Sequence, residues 1–380
     1  MDKIFELNTV NNVKDSVVGS KVKATSPIVE VFSALAQGKN PAVDGKVVDK
    51  AVAYIKELAG RAIDGDHQAV SELNAIQRFT IEPKLIEAIK IFNFMGTYRS
   101  LPYDTVPMMK TYKYESIDSR FQASSGDVPF ATHSFREYPI ATQTISAGYA
   151  VDYRELQSGN FDGTVAEGMA QVQTDMQNKA VYYVIAKLYD ALKNAKGVKH
   201  FAESSGITQT AVDDMLKVMR RYGKTNICGD YAVVSQLNDF AGYKTFGAST
   251  IPFGADAVAE EIRKTGLLSF YNGSNVVELP NALDYTRLNE DKTSYELYMP
   301  QGLLFFIPQG NIAPLQIFRR GGLTTMTGDD IVTRQHLTRF DMEIGAGVAE
   351  GMEDQIGLLS DTNFEVPTLS VSYTHLRAHE

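Results

Sequence analysis

The sequence predicts an α+β fold, because helical and strand-like patterns occupy separate parts of the chain. Apolar residues recur at spacings of three and four through the first ninety-odd residues and again from 164 to 194. Between these helical parts the period changes to two, over residues 109–153. Residues 205–308 then combine helices with short strands. Helices and strands grouped in this way are typical of an α+β protein.

The N-terminal region is predicted to be helical. In "SPIVEVFSALAQG", Ser26 can cap a helix whose first turn holds a proline. A second helix fits residues 47–63, and "EPKLIEAIKIFNF" predicts a third that starts at Glu82. The first twenty-five residues are polar and mixed, and they predict a mobile arm. Residues 1–95 are therefore expected to form an N-terminal helical arm.

The alternating segment predicts a long β-hairpin within residues 96–153. "MKTYKYESIDSRF" alternates, "QASSGDVP" supplies turn residues, and "HSFREYPIATQTISAGYAVDY" forms one extended run over residues 133–153. A two-stranded hairpin is only marginally stable in water by itself. We therefore expect its outer part to lie on the rest of the chain or on a neighbouring subunit.

The clearest helix runs from Thr164 to Asn194 and opens with a capping box, in which Thr164 is followed three residues later by Glu167. At 1.5 Å per residue it would be roughly 45 Å long, which predicts a structural spine. Its apolar stripe reads as packed core rather than as a flexible ligand groove. The residues of the stripe are Val165, Met169, Val172, Met176, Ala180, Tyr183, Leu188 and Leu192.

The second half of the chain predicts a compact α/β unit over residues 205–308, which includes a helix in "ADAVAEEIRKTG". After Pro308 the pattern is extended again, and "AEGMEDQIGLL" predicts a short final helix. In "RFDMEIGAGV", Phe340, Met342 and Ile344 alternate with charged residues. This alternation predicts a half-buried strand beside the spine helix.

Two glycine-containing segments raise the question of nucleotide binding. Gly345, Gly347 and Gly351 follow a strand, as in a dinucleotide-binding turn, but no second strand can be placed after them. "YGKT", residues 222–225, has the end of a phosphate loop, yet Val218 stands where the partner glycine belongs. We interpret the glycines as a sharp bend at the end of a sheet, and Lys224 as a cation at a helix C-terminus.

The candidate catalytic residues are scattered. His67, His133, His200 and His336 lie on different predicted elements, and His336 points away from the nearby Asp341 and Glu343 on a strand. The single cysteine, Cys228, is expected to be a buried structural thiol. Motifs for metal binding or nucleophilic catalysis are missing. We expect no catalytic, metal or cofactor-binding residues and a protein that is not an enzyme, although a triad assembled from distant residues stays an alternative.

Composition limits the partners and the location. The 380 residues are 44 % hydrophobic and 22 % charged, with a net charge of -9, which predicts a folded protein of more than one unit. An acidic chain does not grip nucleic acid. The N-terminus is unlike a signal peptide, and the longest apolar run, residues 302–307, is too short for a membrane. Residues 371–380 resemble a translated sequencing adapter and are excluded from function, together with their two histidines.

The order of these elements resembles the major capsid protein of tailed bacteriophages, the Hong Kong 97-like fold. The hairpin of residues 108–153 is similar to the extended loop of that family, and Thr164–Asn194 to the spine helix of its peripheral domain. "TNICGDYAVVSQLNDF" and "GLLSFYNGSNVVELP" are similar to pieces of its axial domain, and "TRQHLTRFDMEIGAGV" to its closing peripheral strand. The resemblance covers roughly residues 95–360.

The resemblance implies a division of the chain. Residues 96–153 would be the extended loop, and 154–204 with 309–365 the peripheral domain. Residues 205–308 would be the axial domain. The N-terminal 95 residues could be a retained arm, which we prefer, or a scaffold-like segment removed by a maturation protease. Some relatives crosslink subunits through a lysine and an asparagine, but no pair in this chain can be assigned that role.

The resemblance also implies a function. The protein would assemble with itself, as hexamers and pentamers, into an icosahedral shell around the double-stranded DNA of a tailed phage. Scaffolding, maturation protease, portal and decoration proteins would be possible partners, DNA would lie nearby without specific contacts, and no membrane is involved. The subunit would be made in the bacterial cytoplasm and end in the virion. The alternatives are an encapsulin-like compartment shell and an α/β enzyme with an unrecognised site.

Overall fold

A computed structural model describes residues 26–36, 45–90, 96–114, 121, 130, 133–152, 154, 161–240, 262, 264–279, 281–288, 291–309, 314–330 and 332–367. The predicted mobile arm, the hairpin turn "QASSGDVP", most of the helix "ADAVAEEIRKTG" and the adapter-like end lie outside these ranges. In the described part of the chain, no helix is long and apolar enough to cross a membrane.

The helices confirm the predicted helical regions with shifted ends. They are α1 Pro27–Ala36, α2 Gly45–Ile63, α3 His67–Lys90, α4 Phe161–Lys193, α5 Gln209–Met219 and the short α6 Tyr231–Val234. A 3-10 helix of five residues follows at Ser235–Asp239, and one of three residues lies at Glu353–Gln355. The long spine helix is α4, and it begins three residues earlier than its predicted capping box.

Helix α3 differs most from the prediction, which placed its start at Glu82. It begins at His67 because Asp66 caps it, accepting hydrogen bonds from the backbone N–H groups of Gln68 at 2.9 Å and Ala69 at 3.4 Å. Pro83 lies inside the helix, where it removes one backbone hydrogen bond. The helix continues through Pro83 because apolar residues are fully buried on both sides of it, and that burial outweighs the lost bond.

The strands form four sheets. They are β1 Gly96–Leu101, β2 Met108–Tyr114, β3 His133–Pro139, β4 Gln143–Asp152, β5 His200–Ser204, β6 Lys224–Gly229, β7 Phe270–Tyr271, β8 Ser274–Glu278, β9 Leu283–Leu288, β10 Tyr295–Leu297, β11 Leu303–Gln309, β12 Leu315–Asp330, β13 Gln335–Val348 and β14 Gly357–Asp361. The sheet orders are β1-β12-β13-β4, β5-β14-β11-β6-β8-β7, β10-β9 and β2-β3. The α+β fold class is confirmed, and helices, hairpin, spine helix, mixed unit and closing strands follow in the predicted order.

The extended run over residues 133–153 is divided between two sheets, so the single long hairpin predicted over 108–153 is wrong. Only β3 pairs with β2, whereas β4 pairs along β13. The last backbone bond at the base of the hairpin is the one that the N–H of Ile140 donates to the carbonyl of Pro107 at 3.0 Å. Pro139 has no N–H with which to extend the pairing, and the alternation of β4 matches that of β13.

The largest buried cluster packs on one face of the four-stranded sheet, which we call the core face. Helices α3 and α4 pack side by side on this face, α3 over β12 and α4 over β13 and β4. Phe340, Met342 and Ile344 of β13 are fully buried there, as predicted, and so are Met169 and Met176 of α4. The methionine stripe is therefore part of the packed core.

The C-terminal region corrects two further predictions. Gly345 and Gly347 do not form a bend, because β13 continues through both to Val348 and pairs with β12. The predicted final helix is a strand: after one 3-10 turn, residues 357–361 form β14 between β11 and β5. Adjacent Leu358 and Leu359 are both buried, and a strand covered on two faces has no alternation that distinguishes it from a helix.

Candidate functional site

The glycine segment has no room for a nucleotide. A Cβ atom built on Gly347 would lie 2.8 Å from Cε of Met109 and 3.2 Å from Cδ1 of Ile140. Protein side chains therefore fill the space that a phosphate would need. Gly351, with φ at +83°, is the residue at which the chain turns.

The histidines are not brought together. His67 begins α3, His133 begins β3 and His200 begins β5. His336 lies 2.7 Å from the carboxylate of Asp329, Nδ1 to Oδ1, across the β12–β13 pair. This partner could not be found from local sequence because it depends on the register of β12 against β13. Within the described ranges, no group of three or more His, Cys, Asp or Glu side chains could hold a metal ion.

The remaining candidates have structural environments. Lys224 is the first residue of β6, after helix α5 has ended at Met219, so its predicted place at a helix C-terminus is wrong. In the same "YGKT" segment, the Tyr222 hydroxyl donates to Asp354 at 3.0 Å. Cys228 is fully buried, and burial raises the pKa of its thiol to about 12. Its interpretation as a buried structural thiol is confirmed.

The β2–β3 hairpin is attached to the opposite, outer face of the four-stranded sheet, at a place that we call the hairpin mount. The mount consists of Gln316 and Phe318 of β12, Gly345 and Gly347 of β13, and residues 349–352. Phe318 pairs with Gly345, and Gln316 with Gly347. Because both partners are glycines, the hairpin can approach the sheet closely at these positions.

An apolar contact holds the hairpin base on the mount. Met109 of β2 is 2 % exposed and packs in a small cluster with Phe318, Ala349 and Met352. Tyr138 and Ile140 pack against the edge of this cluster. The cluster is separate from the two larger cores, so the hairpin base has an anchor of its own.

Polar contacts complete the mount. The Lys110 backbone N–H donates to Oε1 of Gln316 at 3.1 Å, and Nε2 of Gln316 donates to the Lys110 carbonyl at 2.7 Å. The Thr111 hydroxyl donates to the backbone carbonyl of Glu350, and the Glu350 backbone N–H donates to the Tyr138 hydroxyl at 3.0 Å. Burial raises the pKa of Tyr138, so this hydroxyl stays neutral at ordinary pH.

Beyond the mount the hairpin extends as an exposed arm. Residues 134–137 of β3 are exposed one after another, although alternate residues of a strand on a sheet surface would be covered. Phe121, Phe130 and Phe135 are each more than half exposed. Large apolar side chains exposed on such an arm suit an interaction surface.

A second exposed apolar set lies on the two-stranded sheet of β9 and β10. Its members are Leu283, Tyr285, Leu288 and Tyr295, which are 42 to 73 % exposed. The rings of Tyr285 and Tyr295 make an edge contact with their centroids 5.2 Å apart. In the described ranges, large apolar side chains are therefore exposed on this small sheet as well as on the hairpin.

A sheet sealed on one face that carries an exposed arm on the other suits a subunit of an assembly, and the family comparison gives the class of that assembly as capsid proteins. Residues 9–360 match the family described as SPbeta prophage-derived putative capsid protein YonB. The match spans most of the chain, so the chain belongs to this capsid protein family. Its predicted function as a subunit of a phage capsid shell is thereby confirmed.

Solved structures similar to this chain include the mature capsid of bacteriophage PhiM1, at 12 % identity over 72 % of this chain and 87 % of that chain, with a TM-score of 0.48. The head of Helicobacter pylori bacteriophage KHP40 has 12 % identity over 71 % and 91 %, with a TM-score of 0.48. A virus-like particle from Pyrococcus furiosus has 10 % identity over 74 % and 97 %, with a TM-score of 0.41. At these identities and scores the likeness carries no information on residues or partners. No curated protein sequence matches the chain.

Proposed function

We propose that the protein is a self-assembling, non-enzymatic capsid subunit whose hairpin arm binds the neighbouring copy in the shell. The observation that supports this most directly is the arm itself, with a docked base and consecutive exposed residues. Ordering such an arm costs conformational entropy in a lone subunit. Repeated arm contacts in a closed lattice would offset that cost, since many modest contacts act together.

The proposed assembly is an icosahedral shell of hexamers and pentamers around the double-stranded DNA of a tailed phage, formed in the host cytoplasm. The net charge of -9 suits a shell along which packaged DNA slides without sticking. Scaffolding, maturation protease, portal and decoration proteins are proposed as further partners. The division into a peripheral unit, 154–204 with 309–365, and an axial unit, 205–308, is part of the same proposal, except that β5 and β14 join the six-stranded sheet of the axial unit.

Deleting the arm tests the proposal. Removal of residues 113–135 should leave a folded protomer, because the mount and both large cores lie outside the deletion. Electron microscopy of the intact sequence, residues 1–370, should show shells, tubes or rings, and the deletion variant should form no closed shells. Normal shells from the deletion variant would contradict the role of the arm. A monomer from the intact sequence at every salt and protein concentration would contradict assembly itself.

The N-terminal helices are proposed to stay in the mature subunit. Helices α1 to α3 contribute buried residues to the same core as α4, among them Ile28, Phe32, Ile55, Leu58, Ile76, Ile81, Leu85 and Ile89. Removing them would expose the apolar surface of α4 and β12. Mass spectrometry of subunits from assembled particles should therefore find residues 26–90 present, and a subunit that lacks them would overturn this part of the proposal.

A further inference from the structure

The side chain of Gln316 makes the two hydrogen bonds to Lys110 that a neighbouring strand would otherwise make. Its amide accepts a hydrogen bond from the Lys110 N–H and donates one to the Lys110 carbonyl, at 3.1 and 2.7 Å. These are the two backbone bonds that a residue on an adjacent strand would make. The Gln316 side chain is itself buried, with 6 % exposed, so both bonds are shielded from water.

The two bonds restrict the direction of β2 as well as its position on the sheet. A planar amide that binds both polar groups of Lys110 holds β2 against sliding and against tilting at that residue. Strand β2 continues to Tyr114, four residues further, or roughly 13 Å at 3.3 Å per residue. A tilt of about 10° at Lys110 would move that end by roughly 2 Å, and the rest of the arm by more.

Other contacts would keep the hairpin base docked without Gln316. Met109 stays in its apolar cluster, and the bonds of Thr111 and Tyr138 to the Glu350 backbone do not involve Gln316. Loss of the amide should therefore loosen the direction of the arm more than it weakens the fold.

We propose that Gln316 is a positioning residue that aims the hairpin arm at its binding surface on the neighbouring copy. This inference rests on the proposed function, in which the arm makes the contact between copies. A mismatch of a few Å at the end of the arm would reduce closure of the shell even though every contacting side chain is present.

The direction of the arm can be measured in the unassembled protomer. Spin labels at Ser134→Cys on the arm and Thr144→Cys on β4 report the distance between arm and sheet, since both positions are exposed. Cys228 can stay, because it is fully buried and burial raises its pKa to about 12, which makes it a poor nucleophile. The test variant is Gln316→Met, which has a similar volume and makes neither bond. The matched control is Gln171→Met on the exposed side of α4.

We expect Gln316→Met to make the distance distribution at least twofold broader, with a melting temperature within a few degrees of the parent. Its yield of closed shells should fall at least tenfold, and Gln171→Met should match the parent in all three readouts. If Gln316→Met does not fold, Gln316→Leu serves instead, because its shorter apolar side chain also makes neither bond.

An unchanged distance distribution would overturn the proposal, and so would a broadened one with normal shell yield. If the parent stays monomeric at every salt and protein concentration, the proposed function fails. The label distances then still decide whether Gln316 directs the arm, because they are measured without assembly.

Discussion

The two faces of the four-stranded sheet bind their neighbours by different means. The core face is covered along its length by α3 and α4, and its residues belong to the largest buried cluster. The outer face carries the hairpin mount, where the separate apolar cluster has only four fully buried members. The core face therefore supplies most of the stability, whereas the outer face mainly sets the direction of an attached arm.

Buried charge is a second difference between the faces. On the core face, Arg319 of β12 is 4 % exposed and pairs with Glu82 of α3. Burial opposes the charge of Arg319, but Glu82 and Tyr98 hold its pKa above the usual value. Arg78 lies 3.8 Å from the same carboxylate, and burial lowers its pKa. The two arginines thus share one carboxylate, and Arg319 is its closer partner.

This pairing links the N-terminal helices to the sheet. Asn74 of α3 donates to Thr327 at 3.3 Å, and Gln77 donates to the Tyr149 hydroxyl at 2.9 Å. Together with the Glu82–Arg319 pair, these bonds join α3 to β12, through Thr327 and Arg319, and to β4, through Tyr149. Polar contacts on the core face are therefore embedded in a large apolar interface, and each of them is costly to break singly.

The largest effect is expected from Met176→Asp. Met176 is fully buried on α4, and the variant loses its packing and places an unpaired charge in the core. We expect a loss of about 5 kcal/mol or more in the free energy of unfolding, measured by urea denaturation. Thr174→Asp, two residues away on the exposed side, is the control and should melt like the parent. A soluble Met176→Asp protein with unchanged melting would show that the core face is not sealed.

Arg319→Met should cost about 3–5 kcal/mol, because it leaves the Glu82 carboxylate in a poorly hydrated site with only the more distant Arg78. The triple variant Arg78→Met, Glu82→Leu and Arg319→Met removes all three charges and should recover much of that loss. Chemical denaturation of the single variant, the triple variant and the parent provides the comparison. If the triple variant is as unstable as the single one, the cost is lost packing and not unpaired charge.

Gly347→Val tests the outer face and should cost less, about 1–3 kcal/mol. Its side chain would displace the ends of Met109 and Ile140, which lie 2.8 and 3.2 Å from the new Cβ, and these side chains are flexible. Gly328→Val in β12 is the matched control, since nothing lies within 4 Å of its Cβ. A loss for Gly347→Val above that of Arg319→Met would contradict the ranking of the two faces. No nucleotide affinity should change in either variant.

The same contrast explains what the sequence could predict. Alternation and helical spacing identified the buried side of β13 and the stripe on α4, because burial of a whole face leaves a periodic pattern. The outer face left no such pattern: its contacts depend on a single glutamine, on two glycines without side chains and on register between residues about 200 positions apart. The start of α3 could have been found from Asp66, whose side chain caps the helix.

For a related reason, the sequence could not show that the extended segment of residues 133–153 is divided into β3 and β4, which belong to different sheets. Both halves alternate, and apart from Pro139 nothing local shows that β4 pairs with β13, nearly 200 residues later, and not with the strands of the hairpin. Pro139, which has no N–H for further pairing, was the one local signal. Long-range pairing of this kind is decided by the partner strand and not by the strand itself.

The smallest effect is expected from Lys110→Gln. Nζ of Lys110 lies 2.8 Å from Glu137 across the hairpin, but both side chains are more than a third exposed, and such pairs contribute less than about 1 kcal/mol. The backbone bonds from Lys110 to Gln316 remain in this variant. Its stability and the hydrogen-exchange rate of its residue 110 amide should therefore match the parent, and Lys217→Gln, in another exposed pair, serves as control. A loss above 2 kcal/mol, on the order of a buried pair, would mean that side-chain charge, and not the Gln316 amide with the Met109 cluster, holds the hairpin to the sheet.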